Sequence, residues 1–198
     1  MMVFLAILAC SEPSENSVVE QKSADQTSPK SHSATSTEPV NMSMSGNSIF
    51  ISEVMISPLK VQKYRGEWIE LYNPTSKPVS LKEHSLFSNG DAGIQFGDDA
   101  VIPPNSAFLL ASRKSPTGNG GLPKVDHVYK IDDIKINKTD WIELRNGEVV
   151  LDRWVIESKK VKKGYSLQRS SDGQICLPKS SYGDGDLGTP KKVNQCDS

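Results

Sequence analysis

Apolar and polar side chains alternate with a period of two from residue 48 onward, which is the pattern of half-buried β-strands. In the segment 67–72, Ile69 and Leu71 share one face of the predicted strand, and Glu70 lies on the other. Because burying an unpaired charge is costly, the Ile69 and Leu71 face is predicted to point into the core. Trp68 and Tyr72 would then share the outward face with Glu70.

About eight to ten short strands are predicted, with no convincing long helix. Asn146–Gly147 is a strong hairpin signal, and residues 148–156 would form the returning strand. Residues 148–163 could also form an amphipathic helix, but their β-branched content favours a strand. Residues 113–124, rich in Gly, Pro and Lys, are predicted to form a long exposed loop. Many short strands with frequent turns favour a sandwich or barrel. The other predicted strands cover residues 48–54, 67–72, 79–81, 107–111, 140–146 and 165–169.

The N-terminus carries an unbroken apolar run at residues 2–9, followed by Cys10. The run is too short to span a bilayer, which takes roughly 20 apolar residues, but it suits a signal-peptide core. The end of the run resembles the bacterial lipobox, which implies that residues 1–10 are a lipoprotein signal peptide and that Cys10 carries lipid. A plain secretory signal is the alternative, and the missing basic leader leaves an upstream start open. Ser11, rather than Asp, favours an outer-membrane anchor in the cell envelope over an inner-membrane one.

Residues 11–47 differ in composition from the rest of the chain. They contain no aromatic residue, are crowded with Ser, Thr, Pro and Glu, and carry five acidic and two basic side chains. Such a segment buries too little apolar surface to offset its ordering entropy, so a disordered tether is predicted. With a net charge of −1 for the whole chain, the remaining part is close to neutral and requires no nucleic acid or acidic membrane as partner.

Several short segments occur in a fixed order, namely residues 51–55, 66–73, 79–81, 102–104, 109–111, 140–144 and 164–169. Together they are similar to the lamin tail domain, the immunoglobulin-like module of nuclear lamins and of many exported bacterial proteins. The resemblance implies an all-β, immunoglobulin-like β-sandwich over residues 48–170. It also implies a binding or display module. The chain lacks the sustained heptads of a coiled-coil rod, so filament assembly is not implied.

Residues 171–198 form a C-terminal extension beyond this domain. If Cys10 carries lipid, Cys176 and Cys196 remain in an oxidising setting, which favours a disulfide between them. Two free thiols in a cytosolic protein are the alternative. The segment 188–196 also resembles the tail that follows many bacterial copies of the lamin tail domain.

Two groups of side chains are candidates for ligand contact. A dense basic run could contact a polyanion such as nucleic acid or an anionic glycan, although most such runs are solvated loops. No aromatic side chain interrupts the run, so it offers no stacking platform for bases. Trp68 and Trp141 are candidate surface aromatics, with packing or cross-strand pairing as the alternative. The basic run consists of Lys159, Lys160, Lys162 and Lys163.

No motif for catalysis or for cofactor binding is found. His84 and His127 have no Asp, Ser or Cys partner at motif spacing and are predicted to be turn or surface histidines. Asp184 and Asp186 raise the question of calcium, but solvated turns are favoured since calcium needs six to eight oxygen ligands. The prediction is therefore a non-enzymatic, lipid-anchored interaction module without cofactor, metal or small-molecule substrate. It would bind a protein or envelope polymer. The alternatives are a structural envelope protein without ligand, a polyanion binder and a secreted form.

Overall fold

The structure, a computed structural model, describes residues 49–137, 140–170 and 172–196. The predicted signal peptide, Cys10 and the tether over 11–47 lie outside the described residues. In the described part, strands dominate and the immunoglobulin-like β-sandwich predicted from the sequence is confirmed. The strands are β1 (Phe50–Met55), β2 (Trp68–Asn73), β3 (Val79–Ser80), β4 (His84–Ser88), β5 (Ile94–Gln95), β6 (Val101–Ile102), β7 (Ser106–Ala111), β8 (His127–Val128), β9 (Trp141–Asn146), β10 (Val149–Val155), β11 (Leu167–Arg169), β12 (Ile175–Cys176), β13 (Ser181–Tyr182) and β14 (Asp186–Leu187).

Two main sheets pack against each other. One has six strands in the order β12-β11-β1-β2-β7-β8, and the other has four in the order β10-β9-β4-β5. All pairs are antiparallel except β7 with β8. The pairs β3–β6 and β13–β14 form two small additional sheets. The order places β2 in the middle of the larger sheet, with β1 and β7 as its neighbours.

The main core lies between the two sheets. Ile69 and Leu71 of β2 are fully buried there, as the alternation in the sequence predicted. They join Ile142 and Leu144 of β9 and Trp154 of β10 in one apolar cluster. Fully burying side chains of this size stabilises a fold by about 1.5–3 kcal/mol each, so this cluster dominates the stability of the sandwich.

The hairpin predicted at Asn146–Gly147 is confirmed. Asn146 pairs with Val149, and Gly147 takes a left-handed backbone with φ 54°. The β10 strand runs to Val155, so the strand prediction for this segment is right and the helical alternative is wrong. A register shift between Val150 and Asp152 turns the Asp152 side chain inward, where Oδ2 accepts a hydrogen bond from the backbone N–H of Ile51.

The exposed loop predicted for residues 113–124 is only partly exposed. It contains a short helix, α2 (Pro116–Asn119), and Leu122 packs into a second apolar cluster. Asn119 is fully buried, and its side chain donates to the carbonyl oxygen of Arg113 and accepts from the backbone N–H of Leu122. The packing of Leu122 and the hydrogen bonds of the Asn119 side chain therefore hold the second half of the segment against the domain. The sequence pattern did not predict this short helix.

Helical structure in the described residues is brief. Besides α2 there is α1 (Lys63–Gly66) and one 3-10 turn at Ser158–Lys160. None of the helices within 49–137, 140–170 and 172–196 is both long and apolar enough to cross a lipid bilayer.

The C-terminal extension contributes β12 to the edge of the six-stranded sheet, and its later residues pack on the outer face of that sheet. Cys176 and Cys196 form the disulfide that the sequence predicted. Trp68, predicted among the candidate surface aromatics, is instead fully buried, and so is Glu70. The prediction that this face is exposed is wrong because Leu122, Val125 and Tyr182 pack against Trp68, and because the strap, defined as residues 188–195, crosses Glu70. Gly183 lies close to Gly120 and Gly121, which follow α2. The backbone N–H of Asp184 donates to the carbonyl oxygen of Gly120 at 3.0 Å.

Candidate binding sites

The predicted basic run borders a groove with a volume of about 440 Å³. Lys159, Lys160 and Lys162 line it, whereas Lys163 is exposed outside it. Its remaining lining is apolar and comes from the connection before β11 and from β11, β12 and the residue after β12. These residues are Val161, Leu167, Ile175, Cys176 and Leu177. We call this site the lysine groove.

The positive charge of the lysine groove is only partly compensated. Lys159 and Lys160 approach the carboxylate of Glu157 at 3.0 and 2.7 Å, and their hydrogen bonds lower the pKa of Glu157. Both pairs are solvent-exposed, so they stabilise little and are screened by salt. The ammonium of Lys162 lies 3.9 Å from the centroid of the Tyr165 ring. An anionic ligand could therefore recruit the lysines at small cost.

Sequence reasoning missed the apolar half of the lysine groove. Ile175 and Leu177 follow the lysines by more than ten residues, and only the pairing of β11 with β12 brings them alongside. Tyr165 was also missed as a contact of the run, since it follows Lys163 rather than interrupting it. A search for aromatic side chains two or three residues beyond a basic run would have found Tyr165.

Trp68 is a packing residue. Its ring meets Tyr182 edge-on at 5.8 Å, and its Nε1–H donates to the Tyr182 hydroxyl at 3.0 Å. Burial raises the pKa of Tyr182 above its ordinary value, so the hydroxyl stays neutral and able to accept that bond. Because Trp68 has no exposed surface, it cannot stack on a ligand without unfolding of the extension.

Trp141 lies half-buried on the outer face of the four-stranded sheet. The Arg153 guanidinium lies 4.7 Å from its ring centroid, and Arg145 lies 5.0 Å from that of Phe87. Glu143, with a buried side chain, joins the two arginines, accepting from Arg145 Nε at 2.8 Å and pairing with Arg153 Nη1 at 3.1 Å. One face of Trp141 is thus already covered by Arg153, and stacking on a ligand there would require Arg153 to move.

Two buried carboxylates lie beneath the strap. Glu53 accepts hydrogen bonds from Ser166 and Thr189, and Glu70 accepts from Ser52 at 2.8 Å and from the backbone N–H of Lys191 at 2.6 Å. Burial, reinforced by the negative charge of Glu53, raises the pKa of Glu70 to about 8. Burial also raises the pKa of Glu53. The bonds from Thr189 and Lys191 are structural, because they attach the strap to the sheet.

The remaining candidate residues are placed as follows. His84 is buried in β4, where burial lowers its pKa, so the prediction of a turn or surface position is wrong for it. His127 is half-buried, with its ring 5.3 Å from that of Phe96. Asp184 is exposed, whereas Asp186 is buried and accepts hydrogen bonds from backbone N–H groups. The solvated turn predicted for Asp186 is therefore wrong. Within the described ranges, no three His, Cys, Asp or Glu side chains cluster as a metal site would require.

Comparison with family models gives a match to the lamin tail domain over residues 42–157, more than half of the 198-residue chain. The match includes every strand from β1 to β10 and ends before the lysine groove and the strap. No curated protein matches the sequence significantly.

Proposed function

The chain belongs to the lamin tail domain family, and from that premise we propose that it is a tethered module that binds an anionic polymer in the lysine groove. The observation that carries the proposal is the groove itself, where lysines face an apolar floor at the edge of the sandwich. In this proposal the module holds its partner at the cell envelope and carries out no reaction of its own.

The charges favour an anionic partner. Four lysines against one nearby carboxylate, Glu157, leave the segment 157–163 strongly positive, while the chain as a whole is slightly negative. Local charge of one sign attracts a polyanion and speeds its association. The ring of Tyr165 is already covered by Lys162. The groove therefore favours contact with the charged backbone of a polymer over stacking on the bases of a nucleic acid.

The proposed tether and anchor rest on the N-terminal sequence, which lies outside the described residues. Lipid on Cys10 would fix the chain to a membrane, since several acyl chains give durable binding where one gives only marginal binding. Residues 11–47 would then separate the module from the membrane surface, so that its groove could reach a polymer of the envelope. The outer membrane is the proposed site.

The groove is tested with heparin and with long poly-glutamate as probes. The double variant Lys159→Glu/Lys162→Glu should lose at least about 10-fold in affinity, because two attractive charges become repulsive. The affinity of the unchanged protein should fall log-linearly with salt concentration. The control is Lys77→Glu/Lys130→Glu, which makes the same change of net charge at exposed positions elsewhere. Equal losses in the two variants would refute the groove as the binding site.

The anchor is tested separately by replacing Cys10 with Ala in cells. The variant should move from the membrane fraction to the soluble or secreted fraction. If Cys10→Ala remains bound to membranes, the lipid anchor is wrong, although the groove proposal stands. If the module binds none of the anionic probes and crosslinking on cells yields only envelope neighbours, a structural role without ligand is favoured instead.

A further inference from the structure

A second cavity, with a volume of about 470 Å³, shares no lining residue with the lysine groove. Tyr72 and Phe108 contribute to its lining from β2 and β7, and the turn before β7 and the strap form two of its walls. Its volume falls in the range of about 300–1,000 Å³ that is typical of ligand pockets. We call it the Tyr72 pocket.

The first wall, the turn between β6 and β7, is rigidly braced. The buried amide of Asn73 donates to the carbonyl oxygens of Ile102 at 3.1 Å and Pro103 at 3.0 Å. The backbone N–H of Asn105 donates to the carbonyl oxygen of Thr75, also at 3.1 Å. This wall is therefore preformed, and ligand binding would not require it to order.

The second wall is fixed through Lys191. Its backbone N–H donates to Glu70, and its ammonium contacts both Asp126 and the carbonyl oxygen of Ala107 at 2.5 Å. Asp126 also accepts from the backbone N–H of Leu109 at 2.8 Å. Since Lys191 is bound on two sides, residues Lys192 and Val193 project from a fixed backbone.

Backbone strain is concentrated on the same two walls. Asn105, with φ 47°, and Lys191, with φ 64°, are the non-glycine residues with a left-handed backbone in the described part of the chain. Both line the Tyr72 pocket. Such conformations are sterically unfavourable and collect at ligand sites. The strain and the preformed walls both indicate a binding role.

The chemistry of the lining indicates the ligand. Lys124 and Lys192 are exposed at the cavity and form no ion pair within the described residues, whereas Lys191 is compensated by Asp126. The half-buried Tyr72 ring is held by Phe50, whose ring meets it edge-on at 5.7 Å. Tyrosine combines an apolar face with a hydroxyl, which suits a ligand with one flat apolar face and polar edges.

We propose that the Tyr72 pocket binds an acidic sugar unit of a glycan, with its ring on Tyr72 and its carboxylate between Lys124 and Lys192. The polar side chains of Asn105 and Ser106 are available for its hydroxyl groups. An extended peptide fits less well, because the outer edge of β7 is already occupied by β8 at Leu110 and Ala111, by Asp126 at Leu109 and by Lys191 at Ala107, which leaves too short a free edge for strand addition.

The test is calorimetric titration of the full-length chain, purified in detergent, with trigalacturonate, neutral maltotriose and inorganic phosphate. Trigalacturonate should bind at least about 10-fold more tightly than either other probe, since only it offers both ring and carboxylate. Tyr72→Ala should weaken it about 10-fold, and Tyr72→Phe less than about 3-fold. Because Tyr72→Ala also removes packing against Phe50, Lys192→Gln is the second variant. It should weaken trigalacturonate about 3-fold and leave maltotriose unchanged.

Two controls separate this proposal from the lysine groove. Lys130→Gln, an exposed position outside both sites, should leave the affinity for trigalacturonate unchanged. Lys159→Gln/Lys162→Gln should also leave it unchanged while weakening long polyanions. If Lys159→Gln/Lys162→Gln abolishes trigalacturonate binding and Lys192→Gln does not, the acidic sugar binds in the lysine groove. The Tyr72 pocket proposal is then wrong, whereas the lysine groove proposal stands. Equal binding of maltotriose or phosphate would overturn it as well.

Discussion

Thr189 and Glu53 lie 136 residues apart, yet the backbone N–H and the hydroxyl of Thr189 each donate to the Glu53 carboxylate at 2.9 Å. This pair, with the contact of Lys191 to Glu70, attaches the strap to β1 and β2. The C-terminal extension therefore buries the polar outer face of β1 and β2. It also forms one wall of the Tyr72 pocket, so the stability of the strap and ligand binding are linked.

We first predict that Thr189→Val lowers the free energy of unfolding by about 1–3 kcal/mol. The valine keeps the shape but leaves the buried Glu53 carboxylate without one donor, and unsatisfied buried groups carry that cost. Urea denaturation monitored by tryptophan fluorescence measures the change. Thr117→Val, at an exposed position, serves as the control and should change stability by less than about 0.5 kcal/mol.

The second prediction concerns pH. Burial raises the pKa of Glu70 from its ordinary 4.5 to about 8 in the folded protein. The unfolded chain therefore releases this proton at lower pH than the folded one, so the stabilising contribution is complete below pH 4.5 and is lost as pH rises toward 8. The loss amounts to about 1.4 kcal/mol per pH unit for one group.

Urea denaturation between pH 5 and pH 8 should show this fall in stability. Glu70→Gln should flatten the profile, because the amide does not titrate. Part of the slope should persist, since burial also raises the pKa of Glu67 to about 7. A profile that is identical in the variant and the unchanged protein would show that Glu70 is ionised in the fold.

The alternation in β2 predicted its inner face correctly and its outer face incorrectly. Ile69 and Leu71 are buried by strands with the same alternation of apolar and polar residues. The alternation is therefore sufficient to predict their burial. Glu70 is buried by a strap 121 residues away along the chain. The backbone N–H of Lys191 and the hydroxyl of Ser52 satisfy the carboxylate, and no local pattern distinguishes a satisfied buried carboxylate from a solvated one.

The third prediction is that reduction destabilises the domain. The bond between Cys176 and Cys196 closes a loop with a sequence separation of 20, which stabilises the fold by about 3 kcal/mol in the chain-entropy model. Cys176→Ser/Cys196→Ser should lower the free energy of unfolding by that amount. A mass increase of two protons on reduction would confirm the bond in the purified protein, and labelling of both cysteines without reductant would contradict it.

The lysine groove, too, could be predicted only in part from the sequence. The four lysines are evident in the sequence, but Ile175 and Leu177 become their neighbours only through the pairing of β11 with β12. The Tyr72 pocket could not be predicted at all. Its walls come from segments near residues 105 and 191, and their strained backbones leave no mark in a hydropathy pattern.

A fourth prediction isolates a steric contact. A Cβ atom on Gly183 would lie 2.2 Å from the carbonyl oxygen of Gly120, and Gly183 also has φ 45°. Gly90 has φ 79° but open space around it, so Gly90→Ala carries the backbone strain alone. Gly90→Ala should cost about 1–2 kcal/mol. Gly183→Ala should cost clearly more, and equal melting temperatures for the two variants would exclude the close approach.

The last prediction separates a structural carboxylate from a calcium ligand. Asp186 is 2 % exposed, and its carboxylate accepts from the backbone N–H of Leu59 at 3.1 Å and of Lys60 at 3.3 Å. Asp186→Asn should lower the free energy of unfolding by about 1–3 kcal/mol, since one acceptor oxygen becomes a donor.

Asp184→Asn, at an exposed position two residues earlier, should have little effect. Because backbone donors already occupy the Asp186 carboxylate, the melting temperature of the unchanged protein should be the same in EDTA and in millimolar calcium. A calcium-dependent rise that Asp186→Asn abolishes would show that the carboxylate turns toward a metal, and the structural assignment would then be wrong.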